Sequence, residues 1–450
     1  MPVSPARQAA YKILRRVERG HDFAADLLLS PNVSALSESD QNLTTELALG
    51  VLRRRAELDA CITRLSGRPS GYFDCEIATI LRLGVYQIRR LDRIPKSAAV
   101  NEAVEMAKAA RRRSAAGLVN AVFRKCEPQT RGDDAESLGL ALPPWLGERW
   151  RQRFGVAAAS ALARWSLETP RAAIRLLHAQ DELEAVRREL AAENVEAGPS
   201  RFSPRSLVIL RGSVTRTKAW RARRLAIQDE ASQLVGSLVR PEAHQRVLDL
   251  CAAPGMKTSQ IAADLGKGLL IGCDLSARRL QTMASVVGCL IPAAVHWHRV
   301  QLDASRPLPF APRFDRILLD APCSGTGTLA RNPEIKWRLT PQDIVRLSDS
   351  QARMLRGALP ALAAGGRMVY ATCSLEREEN EDVVERVLAG ASGFRRLTRD
   401  ELISERPNLA PLFDSDGYFR TRPDLQRTDG FFAAVLSRDP DAGGRILGRQ

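Results

Sequence analysis

The stretch Phe314-Asp-Arg-Ile-Leu-Leu-Asp-Ala-Pro-Cys-Ser-Gly-Thr-Gly-Thr328 joins an apolar run to a loop of small and polar residues. The run Phe314–Leu319 predicts a buried strand, and a second apolar run precedes the similar loop Tyr370-Ala-Thr-Cys-Ser374. Each loop carries one cysteine, Cys323 or Cys373, just beyond the end of a strand. Because open α/β sheets bind their ligands at that edge, both cysteines are candidates for chemistry. Packing of buried thiols is the alternative.

Apolar runs and helical stretches alternate from about residue 226 onward, which is the pattern of consecutive βαβ units. The predicted strands are Arg246–Leu250, Leu269–Cys273, Val295–Val300, Phe314–Leu319 and Arg367–Tyr370, with an edge strand at Gly430–Leu436. The predicted helices are Thr258–Leu265, Ala277–Val287, Ile344–Leu362 and Glu378–Leu388. We therefore predict a Rossmann-like α/β domain with a mainly parallel sheet over residues 226–438, and a frayed tail over 439–450.

The N-terminal part of the chain has a different pattern. Residues 5–126 carry apolar side chains at helical spacing and predict an all-α bundle, in which Ser37–Asp40 gives one helix a capped start. After a polar linker, residues 140–225 predict a small α+β connector. Its predicted elements are the strands Ala172–Leu177 and Leu207–Leu210 and the helix Leu183–Glu193. The 450 residues are thus expected to form several domains.

Composition argues against several classes of protein. No apolar run is long enough to span a bilayer, and residues 1–19 lack the apolar segment of a secretory signal. The eight cysteines include no C-x-x-C pair, which argues against a zinc site and fits free thiols in a reducing compartment. We therefore expect a cytoplasmic protein without a membrane segment or a metal, and nothing in the sequence demands more than a monomer.

The charge balance indicates a polyanionic partner. The net charge is +15, and residues 1–125 hold 21 Lys and Arg against 13 Asp and Glu. Nucleic acid is the simplest such partner, and Arg111–Arg113 is a candidate phosphate contact. A solvated basic surface is the alternative.

The loop Asp249-Leu-Cys-Ala-Ala-Pro-Gly-Met-Lys257 is a candidate cofactor turn. It lacks the G-x-G-x-x-G pattern, but its small residues let the backbone approach a ligand, and Lys257 near a helix N-terminus suits a carboxylate. Asp274 ends the next strand, where an acid binds ribose hydroxyls, and Asp303 follows the third, within reach of an adenine edge. A nucleoside that carries an amino acid but no diphosphate describes S-adenosyl-L-methionine. Helix caps or turns are the alternative for each aspartate.

Two cysteines at the sheet edge suit methylation of cytosine at C5. That carbon is a weak nucleophile, so a thiolate must first add to C6, after which C5 attacks the sulfonium methyl group. Loss of the C5 proton then expels the thiol. The reaction therefore needs one attacking cysteine and a second group that assists proton removal or release.

Segments of the helical region resemble the NusB-type RNA-binding bundle. They are Glu46-Leu-Ala-Leu-Gly-Val-Leu-Arg53, Leu81-Arg-Leu-Gly-Val-Tyr86, Val100-Asn-Glu-Ala-Val-Glu-Met-Ala-Lys108 and Gly117-Leu-Val-Asn-Ala-Val-Phe-Arg-Lys125. The resemblance covers most of residues 5–126 and implies a contact with RNA.

The α/β region resembles the Sun/RsmB family of RNA 5-methylcytosine methyltransferases. The segments that carry the resemblance are Val247–Thr258, Leu319–Thr328, Asn332–Trp337, Tyr370–Glu381 and Thr428–Phe432. It implies 16S rRNA as the substrate, Cys373 as the nucleophile and Cys323 as the group that assists product release. It also implies a cofactor site formed by Cys251, Ala252, Ala253, Pro254, Gly255, Met256, Lys257, Asp274, Asp303 and Asp320; the alternative for Asp320 is that it faces the cytosine.

One departure from the family pattern concerns the cofactor turn, because Met256 stands where the family usually has a second glycine. Two other functions stay open. A DNA cytosine-C5 methyltransferase uses the same addition chemistry, with a Pro-Cys-Gln nucleophile segment where this chain has Pro322-Cys-Ser324. A non-catalytic RNA-binding assembly factor would use the helical bundle alone.

Overall fold

The computed structural model describes residues 3–20, 22–128, 134–178, 182–311 and 313–440. By packing, the chain divides into two compact units, Met1–Thr169 with Leu329–Arg338, and Pro170–Thr328 with Leu339–Gln450. Most of the predicted tail, residues 439–450, lies outside the described ranges. The sequence-based division at residues 126, 140 and 225 stays a prediction, because it follows sequence pattern and not packing.

The first unit is helical, as predicted. Its helices are Pro5–Arg19, Ala24–Leu28, Pro31–Ser34, Glu38–Arg53, Arg55–Ser66, Cys75–Arg90, Lys96–Ala109, Ala116–Lys125, Asp134–Gly139, Pro144–Phe154, Val156–Trp165 and Ile335–Arg338. The predicted cap is present, since the Ser37 side chain accepts a hydrogen bond from the Asp40 N–H at 3.2 Å. Leu47, Leu58 and Ile80 are fully buried in the core of this unit.

The segment Leu329–Arg338 supplies hydrogen-bond donors to helix ends of this unit. The last carbonyls of a helix have no partner within it, so they need outside donors. Lys336 Nζ donates to the Arg53 carbonyl at 2.8 Å, and Trp337 Nε1 donates to the Leu52 carbonyl at 2.6 Å. The Arg338 guanidinium donates to the Val17 carbonyl in the last turn of the first helix. The segment thus caps two helices that lie far from it in the sequence.

The second unit contains a small antiparallel sheet and a larger mixed one. Within the described residues, the small sheet has the order β2-β3-β1-β4, with β1 at Ala173–Leu176, β2 at Glu196–Pro199, β3 at Ser206–Arg211 and β4 at Leu225–Ile227. β1 and β3 lie where strands were predicted, and the helix Leu183–Ala192 lies between them in sequence, as expected.

The larger sheet has the order β10-β12-β9-β8-β5-β6-β7, with β11 paired to β12. Its strands are β5 (Arg246–Leu250), β6 (Gly268–Asp274), β7 (Val295–Gln301), β8 (Phe314–Asp320), β9 (Leu362–Thr372), β10 (Phe394–Arg396), β11 (Phe419–Thr421) and β12 (Phe431–Arg438). β5 to β9 pair in parallel, and β12 is antiparallel to β9. The prediction that the last strand lies at the edge is wrong, because the short strands β10 and β11 cover its outer side.

The α-helices of the second unit are Leu183–Ala192, Lys218–Arg221, Glu230–Ser237, Met256–Leu265, Ala277–Val287, Pro341–Ala358, Glu381–Leu388, Arg399–Glu405 and Pro423–Gln426. Short 3-10 helices of the two units are Ser70–Tyr72, Arg113–Ala115, Val214–Arg216, Gly288–Leu290, Thr326–Thr328, Leu359–Ala361, Arg377–Glu379 and Pro407–Leu412. Of the helices in the described ranges, none combines the length and apolar character that a bilayer crossing requires. The predicted fold class, a helical region joined to an α/β region with a largely parallel sheet, is confirmed.

The strand order reverses direction at β5, whose neighbours are β6 on one side and β8 on the other. Chain connections leave in opposite directions from such a point, which opens a crevice at the carboxyl ends of the strands. The register sets Leu250 of β5 beside Leu319 of β8, and Asp320 beside Ala371 of β9. The loops that follow these three strands therefore meet at one edge of the sheet.

Candidate active site

The two cysteines singled out by the sequence lie next to each other. Cys323 Sγ and Cys373 Sγ are 3.3 Å apart, and both side chains are partly exposed. The adjacent strands β8 and β9 bring them together, since each cysteine follows the end of its strand by one to three residues. Main-chain hydrogen bonds then join the loops, with Gly327 N–H donating to the Cys373 carbonyl at 2.9 Å.

A buried carboxylate, that of Glu379, binds both cysteine loops. Glu379 Oε1 accepts hydrogen bonds from the Ser324 main-chain N–H at 2.8 Å and from Gln351 Nε2 at 3.0 Å. Glu379 Oε2 accepts from the hydroxyl of Ser374 at 2.5 Å and from that of Ser324. Burial raises the pKa of Glu379, but all four partners are donors, so the network is satisfied by the ionised carboxylate. Glu379 thereby ties together the residues that follow each cysteine.

The surroundings of Cys323 favour its protonated form. The hydrogen bond with Cys373, the burial of the sulfur and the negative charge of Glu379 all raise the pKa of Cys323 well above its usual value. The two sulfur atoms lie at hydrogen-bond distance, so a proton on one of them can be shared with the other.

The turn after β5 depends on one glycine. Gly255 has φ +102°, and a Cβ atom there would lie 2.7 Å from side-chain carbons of Met283 and Val287. Cys251 also has a positive φ, of 62°, although it is not a glycine. Met256 begins the helix Met256–Leu265 and packs against the same apolar cluster, so the backbone there needs no glycine. The departure at Met256 thus leaves the turn intact.

The residues of this turn between Cys251 and Gly255 have small side chains or, at Pro254, a short ring. Ala252 and Ala253 are buried, and Pro254 is exposed. Burial, followed by the charges of neighbouring aspartates, raises the pKa of Cys251. Cys251 is therefore a neutral thiol at this sheet edge.

Lys257 and Asp320 form an ion pair across the reversal point of the sheet. Lys257 Nζ is 2.9 Å from Asp320 Oδ2, and it lies 4.9 Å from the ring centroid of Phe431. Burial opposes the charge of Lys257, but the attraction of Asp320 and the nearby Cys373 sulfur raise its pKa overall. The lysine is therefore an ammonium group between the turn after β5 and the cysteine pair.

Three further aspartates line the ends of β5 to β7. Asp249 is buried and accepts a hydrogen bond from Thr258 Oγ1 at 2.5 Å, and its Oδ1 atom has no hydrogen-bond partner within the described part of the chain. Burial raises the pKa of Asp249 to about 7. Asp274 lies 3.2 Å from Arg279 Nη1. Asp303 Oδ1 accepts from the main-chain N–H and the hydroxyl of Ser305, which lowers the pKa of Asp303.

All the residues predicted for the site belong to the second unit and follow its parallel strands. The sequence analysis missed Glu379, Asp249 and Arg279. Asp249 lies inside the quoted motif, and its place at a strand end was a usable signal. Arg279 Nη2 donates to the Ala253 carbonyl at 2.5 Å, a contact that sequence spacing does not reveal. Among the described residues, no group of three or more His, Cys, Asp or Glu side chains is arranged to hold a metal ion.

Comparisons with known proteins match both parts of the chain. Residues 237–437 match the family model of 16S rRNA methyltransferase RsmB/F, and residues 4–128 match the NusB family model. A probable ribosomal RNA small subunit methyltransferase B of Synechocystis is 32% identical over 96% of this chain and 99% of its own. A probable ribosomal RNA small subunit methyltransferase B of Bacillus subtilis is 30% identical over 97% of this chain and 100% of its own.

The crystal structure of PH0851 shares the fold, with a TM-score of 0.79 and 23% identity over 97% of this chain and 100% of that one. The relatives match along nearly the whole length of both chains, so the likeness includes the helical region as well as the α/β region. The chain therefore belongs to the RsmB/F family of ribosomal RNA small subunit methyltransferases, with a NusB-family region at its N-terminal side, and it is a methyltransferase that acts on ribosomal RNA.

Proposed function

We propose that this protein transfers a methyl group from S-adenosyl-L-methionine to C5 of a cytosine in 16S rRNA, through a covalent bond between Cys373 and C6 of the base. The observation that carries the proposal is the pair of sulfur atoms 3.3 Å apart at the ends of two adjacent parallel strands. A methyltransferase that acts on the ring carbon of cytosine needs a nucleophilic cysteine, and a second cysteine at contact distance can exchange a proton with it.

The turn after β5 and the neighbouring aspartates fit S-adenosyl-L-methionine. The free acceptor atom of Asp249 can bind a donor group of a ligand, and Ala252 and Ala253 carry no side chain beyond Cβ that would block a ligand from the backbone of the turn. We propose that the cofactor is held by Cys251, Ala252, Ala253, Pro254, Gly255, Met256, Lys257, Asp274, Asp303 and Asp320, together with Asp249. When bound, it supplies an electrophilic methyl group on its sulfonium. The amino acid end of the cofactor carries a carboxylate and an ammonium group, which suit the charges of Lys257 and Asp320. We therefore place this ion pair near that end.

The two cysteines have different roles in the addition to the base and in the release of the product. The Cys373 thiolate would add to C6, which makes C5 nucleophilic toward the methyl group that S-adenosyl-L-methionine would supply, and the bond from that methyl group to the sulfonium would break as its bond to C5 forms. The C5 proton would pass to water, its bonding pair would restore the C5–C6 double bond, and the bond between Cys373 and C6 would break with the electron pair returning to Cys373. Cys323 Sγ, 3.3 Å from this sulfur, would donate a hydrogen bond to the departing thiolate and so assist release. Membership of the RsmB/F family favours Cys373 as the nucleophile, in contrast to the DNA-type arrangement with the Pro-Cys segment.

The helical region, residues 5–126, is proposed to bind RNA, since it matches the NusB family and carries much of the positive charge. A cytoplasmic location fits the many free cysteines and the rRNA substrate. The connector over residues 140–225 and the methyltransferase domain over 226–438 complete the proposed division of the chain.

Single substitutions at the cysteines test the mechanism. Cys373→Ser is expected to abolish both methylation and the covalent RNA–protein adduct. Cys323→Ala is expected to form the adduct but to release it slowly, so that a band of higher mass accumulates on a denaturing gel. Loss of the adduct in Cys323→Ala alone would reverse the roles and favour the DNA-type mechanism.

The product identifies the reaction. Incubation with methyl-labelled S-adenosyl-L-methionine and unmodified 16S rRNA should give labelled 5-methylcytidine on nucleoside analysis. Label in another nucleoside would exclude C5 chemistry. Tight rRNA binding without any label would favour the non-catalytic assembly factor.

A further inference from the structure

A cavity with an arginine rim lies in the second unit, beside Asp303 of the proposed cofactor site. Its volume is about 490 Å³, and it opens between the loop that follows β7 and the C-terminal half of the helix Pro341–Ala358. Arg306 and Arg313 come from the loop, and Arg353 and Arg356 come from the helix. All four side chains are exposed. We call this site the arginine cavity.

The charges of the arginine cavity are largely uncompensated. Arg306 lies 3.3 Å from Asp303, and Arg313 donates one hydrogen bond to the Pro360 carbonyl at 2.8 Å. Within the described residues, Arg353 and Arg356 have no carboxylate at ion-pair distance. Since these two are three positions apart on one helix face, their like charges repel each other. This repulsion would be relieved by a bound polyanion, whose charges would compensate those of the two arginines.

The floor of the cavity is apolar. Leu308 and Phe310 are partly buried and pack on the core of the larger sheet, and the Phe310 ring meets Phe314 edge to face with centroids 5.4 Å apart. Guanidinium groups around an apolar, aromatic floor match the chemistry of a nucleic acid strand, whose phosphates alternate with riboses and bases. An acidic protein segment would pair with the arginines of the rim, but its carboxylates would make no favourable contact with the apolar floor.

The position of the cavity separates it from the cysteines. Its loop runs from the carboxyl end of β7 to the amino end of β8, and its helix leads toward the amino end of β9, whereas the cysteines follow the carboxyl ends of β8 and β9. A strand of seven residues spans roughly 20 Å. RNA in the cavity would therefore lie several nucleotides away from the target base.

We propose that the arginine cavity is a second rRNA-binding surface, which holds the sugar–phosphate backbone of the substrate outside the nucleotide that is methylated. The proposal rests on rRNA being the substrate but not on the cysteine mechanism. Contacts of this kind carry no base specificity, but they add affinity and fix the position of the RNA.

Charge reversal tests the arginine cavity. The double variant R353E/R356E of the full-length protein is compared with the parent in equilibrium binding to in vitro transcribed 16S rRNA over a series of KCl concentrations. We expect binding at least about ten times weaker near physiological salt, with a log–log salt slope smaller by roughly two. The neutral variant R353Q/R356Q should show the same reduction in slope with a smaller loss of affinity.

The matched control is R188E/R211E, which changes the net charge equally at two exposed arginines of the second unit, one on the helix Leu183–Ala192 and one at the end of β3. Circular dichroism and melting temperature confirm that each variant is folded. Equal losses in control and test variants would overturn the proposal, because they would reflect net charge alone. Unchanged rRNA binding would also overturn it, as would loss of binding to polyglutamate with rRNA binding intact. Methylation is not the readout, so failure here is distinct from failure of the cysteine mechanism.

Discussion

At the scale of single residues, Glu379 determines how the two cysteine loops are held. Its carboxylate accepts hydrogen bonds from Ser324 and Ser374, each of which directly follows a cysteine. Glu379→Ala would leave the Ser324 N–H without its acceptor in a buried site and would remove one of the two acceptors of the Gln351 amide. We expect a fall of about 3 kcal/mol in the free energy of unfolding of the second unit, measured by urea titration.

The control for Glu379 is Glu385→Ala, which removes the same side chain from an exposed position 3.6 Å from Arg377. An exposed ion pair contributes little, so we expect a change below about 0.5 kcal/mol. Equal effects of the two substitutions would show that Glu379 does not stabilise the loops.

The raised pKa of Asp249 predicts that the stability of the protein depends on pH. Burial raises its pKa in the folded protein to about 7, against 3.8 in the unfolded chain. Between these values the folded state binds more protons than the unfolded state, so this residue's contribution to stability is complete below about pH 4 and is lost as the pH rises through 7. Asp249→Asn should remove this decline, which is on the order of 4 kcal/mol. Urea titrations from pH 4 to 8 measure it, and equal slopes in variant and parent would contradict the assignment.

The residues found from the sequence share one property. Cys323, Cys373 and Asp274 follow predicted strands, so their meeting at one sheet edge could be predicted from the strand pattern alone. Glu379 could not be, because its four donors come from three separate segments and its role exists only once these are packed together. The ion pair of Lys257 with Asp320 could not be predicted either, because it joins two segments that only the packed fold brings together.

At the scale of secondary structure, the parallel strands of the larger sheet were predictable and its short strands β10 and β11 were not. β5, β6 and β8 are five to seven residues long and largely apolar, so each gives a clear signal. β10 and β11 have three residues each, which is too few for any periodicity. Their absence from the prediction placed β12 wrongly at the edge. The polar sequence of a short strand does not distinguish it from a loop.

The segment Leu329–Arg338 makes a prediction about helix ends. Lys336 is buried, burial lowers its pKa to about 7, and its Nζ donates to the carbonyls of Arg53 and Ala141. Lys336→Met removes these two hydrogen bonds and a longer one to Ser166 Oγ at 3.5 Å, and it leaves two carbonyl groups without this donor. We expect a loss of about 2 kcal/mol in the stability of the first unit, monitored by hydrogen exchange of the helix Glu38–Arg53.

Lys96→Met is the matched control, because the half-exposed Lys96 also donates to a helix-end carbonyl, that of Arg124, at 3.2 Å, and otherwise pairs only with the exposed carboxylate of Glu127 among the described residues. Water can replace that contact, so protection of the helices should change by less than about 0.5 kcal/mol. If both lysines gave the same result, burial of Lys336 would not be the cause of its effect.

At the scale of the whole molecule, the order of the sequence and the order of packing differ. The first unit consists of Met1–Thr169 and, after an interval of more than a hundred residues, Leu329–Arg338. The sequence patterns could not reveal this, because the motif around Asn332–Trp337 was assigned together with the α/β region that surrounds it. Only the hydrogen bonds from side chains of this segment to residues of the N-terminal helices show that it belongs to the first unit.

This arrangement predicts that residues 1–169 are incomplete without the later segment. A fragment of residues 1–169 lacks the donors for the carbonyls of Leu52, Arg53 and Val17, so it should unfold at a lower temperature than the fragment with peptide 329–338. A ligand of the folded state at ten times its dissociation constant adds about 1.4 kcal/mol of stability. The melting temperature should therefore rise with peptide concentration. A peptide carrying Lys336→Met and Trp337→Ala should give no rise, because it lacks two of the capping donors, and an equal rise with both peptides would contradict the capping role.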